Sequence, residues 1–376
     1  MHRKAFLGRL GATLLAGTGA RGLLQHSRFR RGVSEPAPEL EGETLRSVFG
    51  AETVVGAGPE GVAEPKSPLL LKPPRLKEGD TIGITAPAGV IYDPSEFERM
   101  ERVMDDLGLK VTFGHFVRNR YGYLAGSDQQ RLEDLHDLFK NPDINGILAA
   151  RGGWGSNRLL PALDFDLIRA NPKFFCGFSD ITSLHLAISH KTGLVTFHGP
   201  NGTSDWSLFT RDHFRRTAFG YDGQMLLKNP PVEATRVQTI YPGSASGRLI
   251  GGNLTLVTSL LGTPYMPDME GAILFLEDIG EAVYKVDRMF SELLLSGVLN
   301  QVRGVVFGKC SDCSRGVRGG FSLKEVLAHY LEPLALPSFY GSMISHEANI
   351  FTIPVGIRAE MDADAGTIRL LESPVV

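Results

Sequence analysis

The chain has 376 residues, 42% hydrophobic and 22% charged, which at roughly 150 residues per domain points to two folded units plus a margin and excludes a wholly disordered or collagen-like polymer. Lys plus Arg number 39 against 42 Asp plus Glu, a net charge of −3, so no overall positive field exists to hold a phosphate backbone and nucleic acid is not expected as a partner. Three cysteines cannot build a disulfide framework, and no apolar run approaches the ~20 residues that cross a bilayer, so stable membrane insertion of the mature protein is not expected.

Met1 to Ala20 joins a basic start, Arg3 and Lys4, to an apolar and small-residue run, the order of an export signal. Arg3-Lys4-Ala5-Phe6-Leu7 approximates a twin-arginine signal with Lys in place of the second Arg. Export to the periplasm or cell envelope therefore stands beside a cytoplasmic location with an inert basic tail. From Ser34 to Pro74 the text is rich in Pro, Glu, Gly and Ala without periodicity, so residues 1–73 read as a signal-like segment and a disordered tether.

Residues 74–221 alternate strand and helix. Thr81 to Ala86 is a short apolar run, followed by Asp93-Pro94 and the helical stripe Phe97, Met100, Met104, Leu107 up to Gly108. Lys110 to Phe113 is a second strand, Ser127 to Gln130 a capping box opening the next helix, and Asn145 to Ala150 a third strand. This order predicts a flavodoxin-like parallel sheet with flanking helices, whose ligands bind beyond the carboxyl ends of the strands. Arg151-Gly152-Gly153-Trp154-Gly155 falls at such an end. Its glycines let backbone N–H groups approach an anion or oxyanion, although a plain tight turn would read the same way. A fourth strand, Lys173 to Cys176, leads through Gly177-Phe178 to Ser179-Asp180 and a helix. Ser179 on that turn is either an exposed nucleophile, with the Asp180 N–H at a helix start, or simply the N-cap of the helix.

Periodicity breaks between Asp222 and Gly247, so residues 222–246 read as a linker and 247–376 as a smaller C-terminal α/β domain. Its strand Ala272 to Leu276 is a continuous apolar run ending in Glu277-Asp278. Asp278 and Glu281 have capping-box spacing, which gives Asp278 structural work and leaves Glu277 for chemistry or for an ion pair with Arg288. Among ten histidines, His198 and His346 lie in loops that could face a cleft; His346, in the polar stretch Gly341 to Asn349, is the better general base. Histidine pairs with zinc-site spacing are absent. Cys310-Ser311-Asp312-Cys313 is a single CxxC without thioredoxin-like context, read as structural with redox activity as the alternative.

Gly177-Phe178-Ser179-Asp180-Ile181-Thr182, Leu276-Glu277-Asp278-Ile279-Gly280-Glu281 and Ser345-His346 through Gly356 resemble the three catalytic blocks of the serine LD-carboxypeptidases, or muramoyltetrapeptide carboxypeptidases. Gly79-Asp80-Thr81-Ile82, the Arg151 to Gly155 loop and Gly251-Gly252-Asn253-Leu254 also resemble that family, so the likeness runs from about Pro74 to near the C-terminus. Ser345 stands where the family usually has glycine, Trp154 where tyrosine is commoner, and the N-terminal extension is extra. The resemblance implies a triad of Ser179 as nucleophile, His346 as general base and acid, and Glu277 orienting the imidazole, drawn from both domains across an interdomain cleft. Backbone N–H groups of Asp180 and of Gly152 or Gly153 would hold the oxyanion, and Arg151, Trp154 and Arg248 are candidate substrate-binding residues. The implied reaction is hydrolysis of the L,D bond to the terminal D-alanine of murein tetrapeptides through an acyl-enzyme, without metal or cofactor, in a homodimer. Alternatives are a peptidase or amidase of the same superfamily that cleaves peptide-nucleotide antibiotics of the microcin type, and a non-enzymatic binder of cell-wall peptides.

Overall fold

The computed structural model describes residues 68–221, 223–232, 236–316 and 318–376, so the export-signal segment and most of the tether lie outside the described residues. In chain order the N-terminal unit comprises β1 (Thr81–Thr85), α1 (Ser95–Asp106), β2 (Lys110–Phe113), α2 (Asp128–Lys140), β3 (Gly146–Ala149), α3 (Phe165–Ala170), β4 (Phe174–Gly177), α4 (Thr182–Thr192), β5 (Thr196–His198) and α5 (Leu208–Phe219). The second unit follows with β6 (Met225–Lys228), β7 (Gln238–Tyr241), β8 (Ser244–Asn253), α6 (Leu254–Ser259), β9 (Ile273–Ile279), α7 (Val283–Leu295), α8 (Val298–Gln301) and β10 (Gly304–Ser311). It ends with α9 (Leu323–Leu331), β11 (Ser338–Tyr340), β12 (Ile353–Val355), β13 (Arg358–Asp362) and β14 (Thr367–Leu370).

The first five strands are parallel in the order β5-β4-β3-β1-β2, the flavodoxin arrangement, whose ligand crevice opens where the strand order reverses, between β1 and β3. The loops leaving those two strands meet there: the Gly89 N–H donates to the Gly152 carbonyl at 3.0 Å. Local sequence explains the elements. Ser127 and Gln130 form the reciprocal capping box of α2, and Gly193, at φ 77°, ends α4 in the left-handed conformation.

Two expectations need correction. Residues 222–246 are not a linker: β6 pairs with β14 and β7 with β11, the two edges of an eight-stranded sheet. Met225 and Leu227 are buried while Leu226 and Lys228 face out, a period-two pattern in a strand of four residues, too short to stand out before Pro230-Pro231. The second unit, although shorter in sequence, therefore carries the wider sheet, with β8 to β11 parallel at its centre and antiparallel strands at its edges. Nor are the units separate along the chain. β12 leaves the second unit to pair antiparallel with β5, Ile353 opposite His198, and the C-terminal Val376 bonds back to Pro73 and Arg75. In α4 the burial extends beyond one face. Thr182 through Ile188 are all buried, because Ile181, Leu184 and Ile188 share one continuous core with Ile250, Leu254 and Leu276 of the other unit.

Candidate active site

Ser179 follows β4 directly and sits at φ 63°, a conformation that non-glycine residues adopt only when the surroundings enforce it. It is not the N-cap of α4; it opens a short 3₁₀ turn, Ser179–Ile181, that leads into the helix. Two devices hold this strained elbow. Asn201 Oδ1 accepts the Phe178 N–H at 3.1 Å, and the buried Asp180 carboxylate accepts the Ser156 N–H at 2.8 Å. Burial raises the Asp180 pKa despite its bonds to Ser156. The Asp180–Ser156 bond draws the glycine loop onto the nucleophile turn. A Cβ on Gly152 would stand 2.9 Å from Ser179 Cβ and 3.2 Å from its Oγ, so only glycine permits that approach. From the far side the buried Arg131 holds the loop, donating to the carbonyls of Gly155 at 2.9 Å and Pro87 at 2.5 Å. The Gly152 and Gly153 N–H groups donate to no backbone carbonyl among the described residues.

Glu277 and Asp278 lie within β9 rather than beyond it, since the strand continues to Ile279. Glu277 is fully buried, and its Oε2 accepts from His346 Nδ1 at 2.7 Å; Arg288 is not among its partners in the described residues. With Nδ1 engaged, Nε2 is the imidazole nitrogen left to exchange protons. Burial favours the neutral ring, but the Glu277 charge and hydrogen bond, with Asp278 behind, outweigh it and hold the His346 pKa above its ordinary value. Asp278 does have structural work, though not as a capping box: α7 starts after Ala282 with no side-chain cap. Its carboxylate instead accepts from the Thr255 N–H at 3.0 Å and Oγ1 at 2.9 Å, at the start of α6. Burial and the neighbouring Glu277 raise its pKa.

Asn253 has a part that sequence reading missed. β8 and β9 are in register with Asn253 opposite Glu277, and its Nδ2 donates to Glu277 Oε1 at 3.2 Å and to Asp278 Oδ1 at 3.1 Å. In the sequence it stands only within the Gly251 to Leu254 turn, without a role of its own; it also caps α6, its Oδ1 accepting the Leu256 N–H. The contacts of Thr182, Ser156 and Arg131 with Asn253, Asp180 and Gly155 were likewise invisible, because these partners are 24 to 71 residues away in the chain.

A groove of about 930 Å³ between the units is lined by Ser179, His346, Arg151, the glycine loop and Trp154. Trp154 is 62% exposed on its rim, edge-on to Tyr123, and Arg151 donates to the Val90 carbonyl at 2.8 Å. Phe178 packs on the His346 ring, 4.7 Å between centroids. Among the described residues the Ser179 hydroxyl has no hydrogen-bond partner. Arg248 is the exception among the expected site residues. It lies near the amino end of the parallel run of β8, bonds to the Asp268 carbonyl at 3.0 Å and lines a cavity other than the one that Ser179 and His346 line. His198 is a core residue, wedged against Phe178 and Phe275, and burial pushes its pKa well below the usual value. Cys310 and Cys313 form a disulfide. Among the described residues no three His, Cys, Asp or Glu side chains gather as a metal site.

Residues 82–199 match the LD-carboxypeptidase N-terminal domain and residues 246–361 the LD-carboxypeptidase C-terminal domain. The probable murein peptide carboxypeptidase of Bacillus subtilis is 39% identical over 306 residues, covering 78% of this chain and 92% of the relative. Among solved structures, the microcin C7 self-immunity protein MccF superposes with a TM-score of 0.76 at 29% identity, over 81% of this chain and 100% of that one. The muramoyltetrapeptide carboxypeptidase of Oxalobacter formigenes gives 0.68 at 32% identity, over 77% and 97%. Two mixed α/β sheets meeting at a groove, matched over both domains, thus fit the fold of these enzymes, and the chain belongs to the LD-carboxypeptidase family of serine carboxypeptidase hydrolases.

Proposed function

We propose that this protein hydrolyses the L,D peptide bond joining the diamino acid of a murein tetrapeptide to its terminal D-alanine. The observation that carries the reading is the 2.7 Å bond from His346 Nδ1 to the buried Glu277 carboxylate, in the groove that Ser179 also lines. A serine hydroxyl is a weak nucleophile at neutral pH. In the proposed sequence His346 Nε2 takes the Ser179 proton as the oxygen attacks the scissile carbonyl, and Glu277 keeps the ring proton on Nδ1 and stabilises the imidazolium. The N–H groups of Asp180 and Gly153 face the developing oxyanion, a contribution of about 3 kcal/mol per donor. His346 then returns the proton to the departing D-alanine nitrogen, and water repeats the cycle on the acyl-enzyme. Arg151 and Trp154 are the groove residues assigned to substrate.

The test is D-alanine release from a murein tetrapeptide by the wild type and by Ser179→Ala. Turnover should vanish in the variant while tetrapeptide binding, followed calorimetrically, persists; unchanged hydrolysis would remove Ser179 from the mechanism. The likeness to MccF favours one second reading, cleavage of a peptidyl-nucleotide amide by the same residues. Hydrolysis of an aminoacyl sulfamoyl adenosine with no release of D-alanine from tetrapeptide would select it.

A further inference from the structure

The Cys310-Ser311-Asp312-Cys313 motif takes no part in the triad, yet it borders it. β10 pairs with β9 as far as Phe307 opposite Leu276, shifts, and resumes at Cys310 opposite Asp278 and Ser311 opposite Ile279. Its end therefore runs beside the strand end that carries Glu277. The disulfide closes a small ring across a sequence separation of 3, within which Asp312 is held at φ 55°, a strained value for a non-glycine residue. Ser311, inside the ring, bonds in two directions. Its carbonyl accepts the Gly280 N–H at 2.8 Å, at the end of β9, and its hydroxyl accepts the His346 N–H at 3.3 Å. Two residues earlier, the Lys309 N–H donates to the Ile344 carbonyl at 2.9 Å and the Lys309 ammonium pairs with Glu347 at 2.6 Å. The loop bearing His346 is thus fastened to the end of β10, and the His346 N–H is held from within the ring.

We propose that the Cys310–Cys313 disulfide and Ser311 are positioning elements for His346, so that opening the ring with a dithiol lowers turnover more than it weakens substrate binding. This rests on the peptidase reading above. In the opening step a thiolate of the dithiol attacks one ring sulfur and expels the other as thiolate, and its second thiol then displaces the mixed disulfide. Two protein thiols and one oxidised dithiol result, two electrons and two protons having passed between them. The ring is within reach of such a reagent, since Asp312 is exposed and both ring cysteines are partly exposed, whereas Cys176 is buried. Once the ring is open, Asp312 is released from its left-handed conformation, Ser311 turns with it, and the His346 amide loses its acceptor. Displacing a catalytic group by 1 Å costs on the order of 10²-fold in rate, and a partial displacement on the order of tenfold.

The experiment compares the full-length protein on a murein tetrapeptide before and after dithiothreitol, with thiols counted under denaturation: one of the three cysteines free when the ring is closed, all of them when it is open. Reduction should lower kcat about tenfold with KM nearly unchanged, move the acid limb of kcat/KM toward lower pH as His346 loosens from Glu277, and reverse on reoxidation. The Cys310→Ser/Cys313→Ser variant should start at the low rate and ignore dithiothreitol. Ser311→Ala, which leaves the ring closed, should reproduce the loss and the shifted limb, and Ser311→Thr should restore both; this pair decides the matter if the double variant fails to fold. Equal kcat in the two redox states with the thiol count confirmed, or a wild-type rate and limb in Ser311→Ala, would overturn the proposal alone. A protein inactive on tetrapeptide in both states would overturn the peptidase reading and this inference with it.

Discussion

Replacing Glu277 by Gln removes one charge and almost no volume, and the surrounding bonds determine the consequence. Asn253 occupies Oε1 at 3.2 Å and His346 occupies Oε2 at 2.7 Å. Asn253 is not free to turn over, because its Oδ1 accepts the Leu256 N–H at 3.2 Å and its Nδ2 also serves Asp278 at 3.1 Å. Gln therefore has two poor orientations. With its oxygen toward Asn253, its NH₂ donates to Nδ1 and drives the ring proton to Nε2, the nitrogen that must accept a proton from Ser179. With its oxygen toward His346, two NH₂ groups oppose each other, and leaving a buried donor unpaired costs about 1–3 kcal/mol. The imidazolium formed during attack also loses its counter-charge. Unit charges 2.7 Å apart attract by about 6 kcal/mol at an effective dielectric constant of ~20, an upper bound that Asp278 partly makes good. A net loss of about 4 to 5.5 kcal/mol is a factor of ~10³ to 10⁴ in rate, and the comparable Asp to Asn change in a Ser-His-Asp enzyme costs about 10⁴ by the same tautomer inversion. The expected result, read as D-alanine released from tetrapeptide, is a kcat/KM lowered by ~10³ to 10⁴ with KM nearly unchanged. The acid limb should also fall, since burial alone pushes the His346 pKa down. A variant within tenfold of wild type, with its limb unmoved, would refute the assignment of Glu277.

In the wild type, His346 must be neutral to serve as the proposed general base, and its pKa is raised above 6.5; kcat/KM should accordingly rise with pH to a half-maximum above 6.5, and a profile flat through that range would contradict the pairing. The same shift links to stability with the opposite sense: the ion pair stabilises the fold fully below the ordinary histidine pKa and is lost as pH climbs through the raised one, a fall that Tm against pH would record once His346→Ala is subtracted. Gly152→Ala puts a Cβ 2.9 Å from Ser179 Cβ; kcat should drop on the order of 10²-fold with the circular dichroism spectrum preserved, and a normal kcat would show that the loop has slack. Arg248→Ala, remote from the groove, should leave KM for tetrapeptide within about twofold, far short of the 10-fold that 1.4 kcal/mol of lost binding would give.

The βαβ order of the first unit was legible because strands buried on both faces read as apolar runs and because caps such as Ser127 with Gln130 act locally. The proposed triad rests on strand ends and a family resemblance, to which the structure adds the His346–Glu277 hydrogen bond. Arg248 was misjudged although strand geometry argues against it: five residues before Asn253 on the same strand, it stands about 16 Å back from the carboxyl end at ~3.3 Å per residue. Other features leave no local trace. β12 has three residues, and nothing in so short a run says which sheet it will join. The hold of Asn253 on Glu277 depends on the register of β8 against β9, and that of Asp180 on Ser156 on a turn meeting a loop. These are tertiary facts, and periodicity does not encode them.

The proposed triad is drawn from two units, so its geometry depends on how firmly they are joined. Three contacts bear on this. The Asn253 N–H donates to Thr182 Oγ1 at 2.9 Å, three residues beyond Ser179. A Cβ on Gly252 would fall 2.4 Å from that same hydroxyl, so the strand leading to Asn253 lies against the start of α4. β12, a few residues past His346, is stitched into the first sheet at β5. Asn253 is central to this arrangement: its backbone touches the helix behind the nucleophile while its side chain holds the acid. Sliding of one unit past the other at this point would have to break the Thr182 bond. The groove is consequently lined from two sheets that the Thr182 bond and the β12–β5 pairing tie together.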